Sequence, residues 1–324
     1  MRRPARVATA VLGLLMLALT SCGTPTDPFD KLMDQSAVVI QKRLDTLGIA
    51  NTVARVSDDQ ITVIGFTDAT NLINTVAKTG QLDFRAVYVA TQAGRSVSQN
   101  NNTLPTAPPQ TRPTTPDSNP KTTDELIHWE PSSQDIADFN RWSCDTAQDG
   151  KLPNGRTTGL PDGTPVYTDG TPIVPVWDQP LFACDALGTV KYLLGPAVVQ
   201  GTNIARAKAA PPPGQTAHQV ELTLDQTGAS SMTDLTTTLC LQPSPLNLLA
   251  FVFDGVVISA PAVNEPITNS VQITRSFTAT EAQHLAALVN SGPLPVSFEV
   301  LDVALIEKSG EEDHTTVVLK ARQS

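Results

Sequence analysis

The sequence is poor in the residue types and patterns that catalytic and metal sites need. Its 324 residues include only four cysteines and four histidines, and aromatic residues make up 5%. The histidines fall into no metal-ligand spacing such as HExxH; they are His128, His218, His284 and His314. A GxSxG elbow, a Walker phosphate loop and a dinucleotide fingerprint are also absent. We therefore expect no enzyme activity, no metal and no cofactor.

Basic residues and long apolar runs are scarce as well. The 22 basic residues are outnumbered by 32 acidic ones, and the formal net charge of −10 argues against a nucleic-acid partner. A membrane-spanning helix needs roughly 20 apolar residues, whereas the longest apolar run after residue 21, Leu248–Phe253, has the length of a strand. A chain of this length with 26 prolines is expected to form two or more subdomains with long loops.

The N-terminus predicts a lipoprotein signal peptide over residues 1–21. Three arginines precede an uncharged apolar run, Val7–Leu19, which is too short to span a membrane. The junction Leu19-Thr20-Ser21-Cys22 resembles the bacterial lipobox, in which the cysteine is acylated and becomes the new N-terminus. An ordinary signal peptide with a chance cysteine is the alternative. We expect two acyl chains on Cys22 to hold the chain at the extracytoplasmic face of the bacterial cell membrane, with a tether over 22–33.

The other cysteines predict one disulfide. Thiols outside the cytoplasm tend to pair, and Cys144 and Cys184 flank a segment of Gly, Pro and Asp turns that has little apolar material to order it. Joining these two should stabilise the fold by about 4 kcal/mol on the chain-entropy estimate. Cys240 ends an apparent helical pattern, so we interpret it as a small buried residue, with a mixed disulfide as the open alternative.

The first third of the chain predicts an α-β-β-α-β unit. Helical spacing over Asp34–Leu47 is followed by two β-type runs, Asn51–Val56 and Gln60–Phe66, which should form a hairpin. A second helix fits Ala69–Thr79. The strand Gln81–Val89 then alternates apolar and polar residues, which is typical of a half-buried sheet.

A change in composition marks the middle of the chain. Residues 91–125 are rich in Gln, Asn, Thr and Pro and lack the apolar side chains of a core, which predicts a long disordered Pro-rich insertion. Residues 126–190 are expected to be irregular and closed by the disulfide, with a helix over Asp124–Trp142 packed beside that loop.

The C-terminal half predicts a second α+β unit. Its expected elements are a strand at Gln219–Leu224, a helix at Gly228–Cys240, a tight hairpin of Leu248–Phe253 and Val256–Ala260 around Asp254-Gly255, a helix opened by a capping box at Thr278, and strands at Val296–Val300 and Thr315–Leu319.

Several short motifs in this order resemble the first extracytoplasmic domain of SecD and of fused SecDF, membrane proteins that assist Sec-dependent secretion. The motifs that resemble the ferredoxin-like base of that domain are IQKRLDTLGI at 40–49, ITV at 61–63 and TGQLDFR at 79–85. Those that resemble its head subdomain are KYLLGP at 191–196, FDGVVISAP at 253–261, ITRSFT at 273–278 and NSGPLP at 290–295.

The resemblance implies an α+β fold with a ferredoxin-like base subdomain and an inserted α+β head subdomain. The base should begin over 34–90, the head should occupy 191–295, and strands in 296–324 should return to the base. The implied function is a SecD-like binding module that engages polypeptide or assists export, with Sec translocon components or exported chains as partners. A complete SecD continues into proton-coupled membrane helices, whereas this sequence ends at Ser324, so no proton-driven membrane part is expected.

The hairpin at Asp254-Gly255 is the candidate binding surface. Hairpin geometry alone explains these two residues, and the resemblance adds a functional interpretation. An exposed apolar edge after the turn could accept an extended chain by strand addition. The candidate polypeptide-binding residues are Asp254, Gly255, Val257, Ser259 and Pro261. The alternative is an envelope lipoprotein that reuses the head fold to bind a small ligand or a specific protein partner.

Overall fold

A computed structural model describes residues 28–49, 52–65, 76–93, 115–142, 144, 176–212, 214, 217–306 and 314–322. The helices in these ranges are α1 (Pro28–Thr46), α2 (Thr123–Ile127), α3 (Ser133–Arg141), α4 (Gln226–Leu239) and α5 (Ala279–Ser291). The strands are β1 (Val53–Ser57), β2 (Gln60–Gly65), β3 (Leu82–Gln92), β4 (Leu181–Cys184), β5 (Val190–Gln200), β6 (Ile204–Ala210), β7 (His218–Leu224), β8 (Leu249–Phe253), β9 (Val256–Ser259), β10 (Ser270–Phe277), β11 (Phe298–Ile306) and β12 (His314–Ala321). They form three antiparallel sheets, which confirms the α+β class.

The base subdomain combines the two ends of the described chain. Its sheet has the order β1-β2-β12-β11, so residues 298–306 and 314–321 return to the base as the sequence predicts. Helix α1 packs on this sheet through a stripe at helical spacing, with Met33, Ile40 and Leu44 fully buried.

Helix α1 begins at Pro28, a favourable residue for a first helical turn. The end of the predicted tether, 22–33, is therefore helical, and Met33 belongs to the core.

Strand β3 corrects the predicted α-β-β-α-β unit. It does not join the base sheet but lies in the middle of a five-stranded sheet with the order β4-β5-β3-β8-β9. Neighbouring strands on both sides and packing on both faces bury residues 82–87 completely, so the strand is not half-buried. Asp83 and Arg85, which alternate with apolar residues, pair with each other inside the protein at 2.9 Å. The predicted second helix, Ala69–Thr79, lies mostly outside the described residues.

The third sheet, β10-β7-β6, completes the head. Its apolar side chains, with those of α4 and α5, share one core with β3 and β8, where the rings of Phe84 and Phe251 meet edge to face at 5.3 Å. Helix α4 is capped by Asp225, whose side chain accepts from the Gly228 N–H at 2.7 Å. The capping box of Thr278 and Glu281 that opens α5 is present as predicted.

The predicted disordered insertion, 91–125, is ordered at its C-terminal end. The backbone N–H of Asp117 donates to Asp178 Oδ2 at 2.6 Å, and Lys121 Nζ donates to the Asp178 carbonyl at 2.8 Å. Residues 94–114 lie outside the described residues.

The single helix expected over Asp124–Trp142 is two helices, α2 and α3, separated at Pro131. Proline disfavours helical geometry in the residue before it, and a new capping box of Ser132 and Asp135 starts α3. With β4, these helices give ordered structure to part of the segment 126–190, which the sequence predicted to be irregular.

Candidate functional site

The hairpin of β8 and β9 turns at Asp254-Gly255, as predicted. Both residues have positive φ angles, +48° and +81°, the geometry of a type I′ turn. The Asp254 carboxylate points back into the protein, where it accepts from the backbone N–H groups of Gln81 at 2.8 Å and Gly80 at 3.2 Å and from the Thr79 hydroxyl. Burial raises the pKa of Asp254, and these hydrogen bonds oppose the rise. Asp254 therefore anchors the hairpin to residues 79–81.

Arg43 of α1 holds the same segment from the other side. Its guanidinium donates to the carbonyls of Lys78, Thr79 (2.8 Å) and Gly292 (3.1 Å), and its Nε donates to Ser291 Oγ at 3.1 Å. The side chain is fully buried, and desolvation lowers the pKa of Arg43 to about 10, against the effect of the Asp254 charge. We call Arg43, residues 78–81, Asp254 and residues 291–292 the junction clamp.

The junction clamp brings together four of the sequence motifs, 40–49, 79–85, 253–261 and 290–295. These motifs lie far apart in the sequence, and nothing in them predicted that Arg43, Thr79, Gly80 and Ser291 would meet. Gly80 has a φ of +77°, and a Cβ there would lie 2.5 Å from Arg43 Nη2. Only glycine fits this position without displacing the guanidinium.

The other predicted binding residues share the hairpin, but its outer edge is partly covered. Val257 is 2% exposed, and its backbone forms a parallel bridge with Asp185 after β4. The Ser259 hydroxyl donates to the Thr274 carbonyl of β10 at 3.4 Å. Pro261 is exposed, but its carbonyl accepts from the Leu249 N–H at 3.0 Å. An incoming strand at Val257 would meet the position that Asp185 already occupies, so the structure disfavours strand addition at that residue.

A second edge, that of β6, is covered by a side chain of α5. The Asn290 amide accepts from the Ala207 N–H and donates to the Ala207 carbonyl, each at 2.8 Å. It thus occupies both edge-facing backbone groups of that residue, as a neighbouring strand would.

Strand β11 presents an open edge in the described part of the chain. It is the last strand of the base sheet and pairs with β12 on one side. Leu301 and Val303 are 49% and 37% exposed. Near them the strand carries a bulge between Val300 and Asp302, and Asp302 Oδ1 accepts from the Val303 N–H at 2.9 Å. This edge combines apolar side chains with backbone groups that no second strand covers in the described ranges.

Cys144, Cys184 and the buried Lys191 lie together, and we call them the cysteine cluster. Cys144 and Cys184 are joined in the disulfide that the sequence predicts. Beside Cys184 in the sheet register lies Lys191, 1% exposed, whose Nζ donates to the carbonyls of Phe139 at 2.9 Å and Trp142 at 2.7 Å. Desolvation lowers the pKa of Lys191. Its ammonium group caps the end of α3, where helix carbonyls attract a cation.

Cys240 is a free thiol at the end of α4, half-buried rather than fully buried. Cys22, the predicted acylation site, lies outside the described residues.

The described ranges hold no group of three or more His, Cys, Asp or Glu side chains arranged to bind a metal ion. No helix in those ranges has both the length and the apolar character needed to cross a membrane.

Comparison with known proteins assigns the head. Residues 181–296, from the start of β4 to just before β11, match the family model described as SecDF, P1 head subdomain. This part of the chain is similar to the P1 head subdomain of SecDF. The match starts at β4, which the sequence had placed in the irregular segment before the expected start at residue 191.

The similar proteins include two that are named protein translocase subunit SecD. That of Acidaminococcus fermentans is 36% identical over 133 residues, covering 40% of this chain and 30% of the relative. That of Streptomyces coelicolor is 38% identical over 112 residues, covering 34% and 20%. The chain thus spans less than a third of the length of either protein. A solved structure of SecDF, a membrane component that enhances protein export, is 18% identical with a TM-score of 0.47, over 86% of this chain and 96% of that one.

Proposed function

We propose that this chain is an extracytoplasmic, SecD-like binding module that engages polypeptide during Sec-dependent export and is held at the membrane by acyl chains on Cys22. The P1 head subdomain and relatives that are translocase subunits support a role in export. The lipobox-like sequence at 19–22 supports the anchor. Exported chains and Sec translocon components are the proposed partners.

The open edge of β11 is the observation that carries polypeptide engagement. A free strand edge binds the backbone of an extended chain through main-chain hydrogen bonds and so accepts many sequences. Covering the exposed parts of Leu301 and Val303 would contribute about 1 kcal/mol each. Weak, sequence-tolerant binding of this kind suits a protein that contacts many clients briefly.

In-cell photocrosslinking tests the proposal. A crosslinking amino acid is placed at Leu301 or Val303, with control positions at Thr223 and Gln272 on the exposed polar face of the three-stranded sheet. We expect adducts with Sec channel subunits or many exported chains from the first two positions and few from the controls. A Cys22→Ala variant, which loses the anchor, should lose these adducts.

Two further results separate the alternatives. Asp302→Ala frees the Val303 N–H, so it should increase the yield of polypeptide adducts at Val303 if strand addition forms them. Equal yields at β11 and at the control positions would contradict engagement at this edge. A single recurrent envelope protein, with no exported chains, would favour the alternative in which the head fold serves a specific partner.

A further inference from the structure

A cavity of about 290 Å³ lies next to the junction clamp, between the start of β3, the turn after β5 and the segment that follows α5. Its apolar wall consists of Leu82, Pro116, Val176, Trp177, Pro293 and Leu294. Distant parts of the sequence therefore meet around one space, which no motif in the sequence indicated.

Buried charged side chains hold two irregular segments in place around this cavity. Arg85 is fully buried and donates to the carbonyls of Gln179 at 2.7 Å and Val176 at 3.1 Å, which fixes one wall to β3. Asp178 is also fully buried and accepts from the Asp117 N–H at 2.6 Å, which fixes the wall that contains Pro116. Burial of a charge is costly unless it is paired or hydrogen-bonded. Here Arg85 pairs with Asp83 and Asp178 is hydrogen-bonded, which gives the cavity fixed walls.

The cavity offers no net charge to an occupant. Asp83 is its one charged lining residue within the described ranges, and this carboxylate already accepts from Arg85 Nη2 at 2.9 Å and from Gln81 Nε2 at 3.2 Å. The other polar side chains that line it, Gln200 and Thr202 among them, are neutral. A charged group entering the cavity would lose its hydration without gaining a counter-charge, so these surroundings favour an uncharged, apolar group.

The volume limits the size of that group. Small-molecule sites usually measure roughly 300–1,000 Å³, so this cavity is at the lower limit and suits one or two side chains. We propose that it binds a single uncharged apolar side chain of an extended polypeptide, at a contact separate from the β11 edge. This proposal rests on the proposed function, because it assumes that polypeptide is the ligand.

Peptide binding to the purified full chain tests the proposal. Labelled host peptides of uncharged, extended sequence carry one guest residue, which is Leu, Phe, Asp or Lys, and binding is followed by fluorescence anisotropy. We expect the Leu and Phe guests to bind about tenfold tighter than Asp or Lys. Thr202 is exposed at the cavity, so Thr202→Trp should fill the opening without unfolding the protein and should abolish this preference.

The matched control is Thr268→Trp, which adds the same side chain at an exposed threonine outside the cavity lining and should leave the preference intact. Thr202→Glu gives a second variant, in which the added charge should favour the Lys guest over Leu. The cavity proposal would be overturned if neither Thr202 substitution changed the peptide affinities, or if the four guest peptides bound with equal affinity. The β11 crosslinks would survive that result, so the failure of the cavity and the failure of the proposed function can be told apart.

Discussion

Replacement of Gly80 by alanine should destabilise the protein far more than the same change at Gly48. Both glycines have a left-handed backbone, with φ angles of +77° and +69°. Alanine costs about 1–2 kcal/mol in this region because its Cβ approaches the following carbonyl. At Gly48 nothing lies within 4 Å of the added Cβ, so this backbone cost is the whole expected effect.

At Gly80 the added Cβ would also lie 2.5 Å from Arg43 Nη2. The guanidinium must move, and it then loses at least one of its hydrogen bonds to the carbonyls of Thr79 and Gly292. A hydrogen bond to a charged group contributes about 1.5–3 kcal/mol. The total expected loss at Gly80 is therefore about 2.5–5 kcal/mol.

Urea unfolding, followed by tryptophan fluorescence, measures both losses. We expect Gly80→Ala to lie about 1.5–3 kcal/mol below Gly48→Ala in unfolding free energy. Equal destabilisation by Gly80→Ala and Gly48→Ala would refute the role of Arg43 in requiring glycine at position 80.

Three further predictions concern the cysteine cluster and the caps. Replacing Cys144 and Cys184 together by serine should cost about 4 kcal/mol of unfolding free energy, and a reducing agent should lower the melting temperature of the native protein but not of this variant. Lys191→Met leaves the carbonyls of Phe139 and Trp142 without a donor and should cost about 2–4 kcal/mol. The pKa of Lys191 is lowered from 10.5 in the folded protein, so between the folded value and pH 10.5 the unfolded chain binds more protons than the native protein does. In that pH range the stability of the native protein should therefore rise with pH relative to that of Lys191→Met. Parallel pH profiles of the two proteins would contradict this. Thr278→Ala should cost about 1 kcal/mol. The backbone N–H of residue 278, which lowers the pKa of Glu281 most, is kept, but the contribution of the hydroxyl is lost, so the difference from wild type should be largest above pH 4.5 and shrink in part as pH falls through the folded value.

The elements that could be predicted are those that local chemistry determines. The Asp254-Gly255 turn, the Thr278 capping box and the stripe of α1 each follow from a few adjacent residues. Strand β6 was missed because its alanines and lysine have little preference for strands. The start of α1 was missed because the polar sequence around Pro28 gave no periodic signal there.

The sheet membership of β3 could not be predicted, since it depends on partners far away in sequence. Alternation at Asp83 and Arg85 suggested a solvent-facing side, whereas the two residues neutralise each other inside the protein. The same limit applies to the candidate site. The conformation at Asp254 is readable from its own dipeptide, but its contact with residues 79–81, and the proximity of Arg43, depend on the finished fold.

The strand order of the base also bears on how the protein would fold during the export that we propose for it. Residues 60–65 of β2 pair with residues 315–320 of β12. The β1–β2 hairpin therefore emerges long before the strand that it pairs with. Until then β2 has the short strand β1 as its only partner in that sheet, and an isolated two-stranded hairpin is marginally stable at best. The head can assemble from residues that emerge in between. We therefore expect a folding order in which the head matures first and the base, with its buried α1 stripe, remains exposed to chaperones and proteases until the C-terminal hairpin arrives.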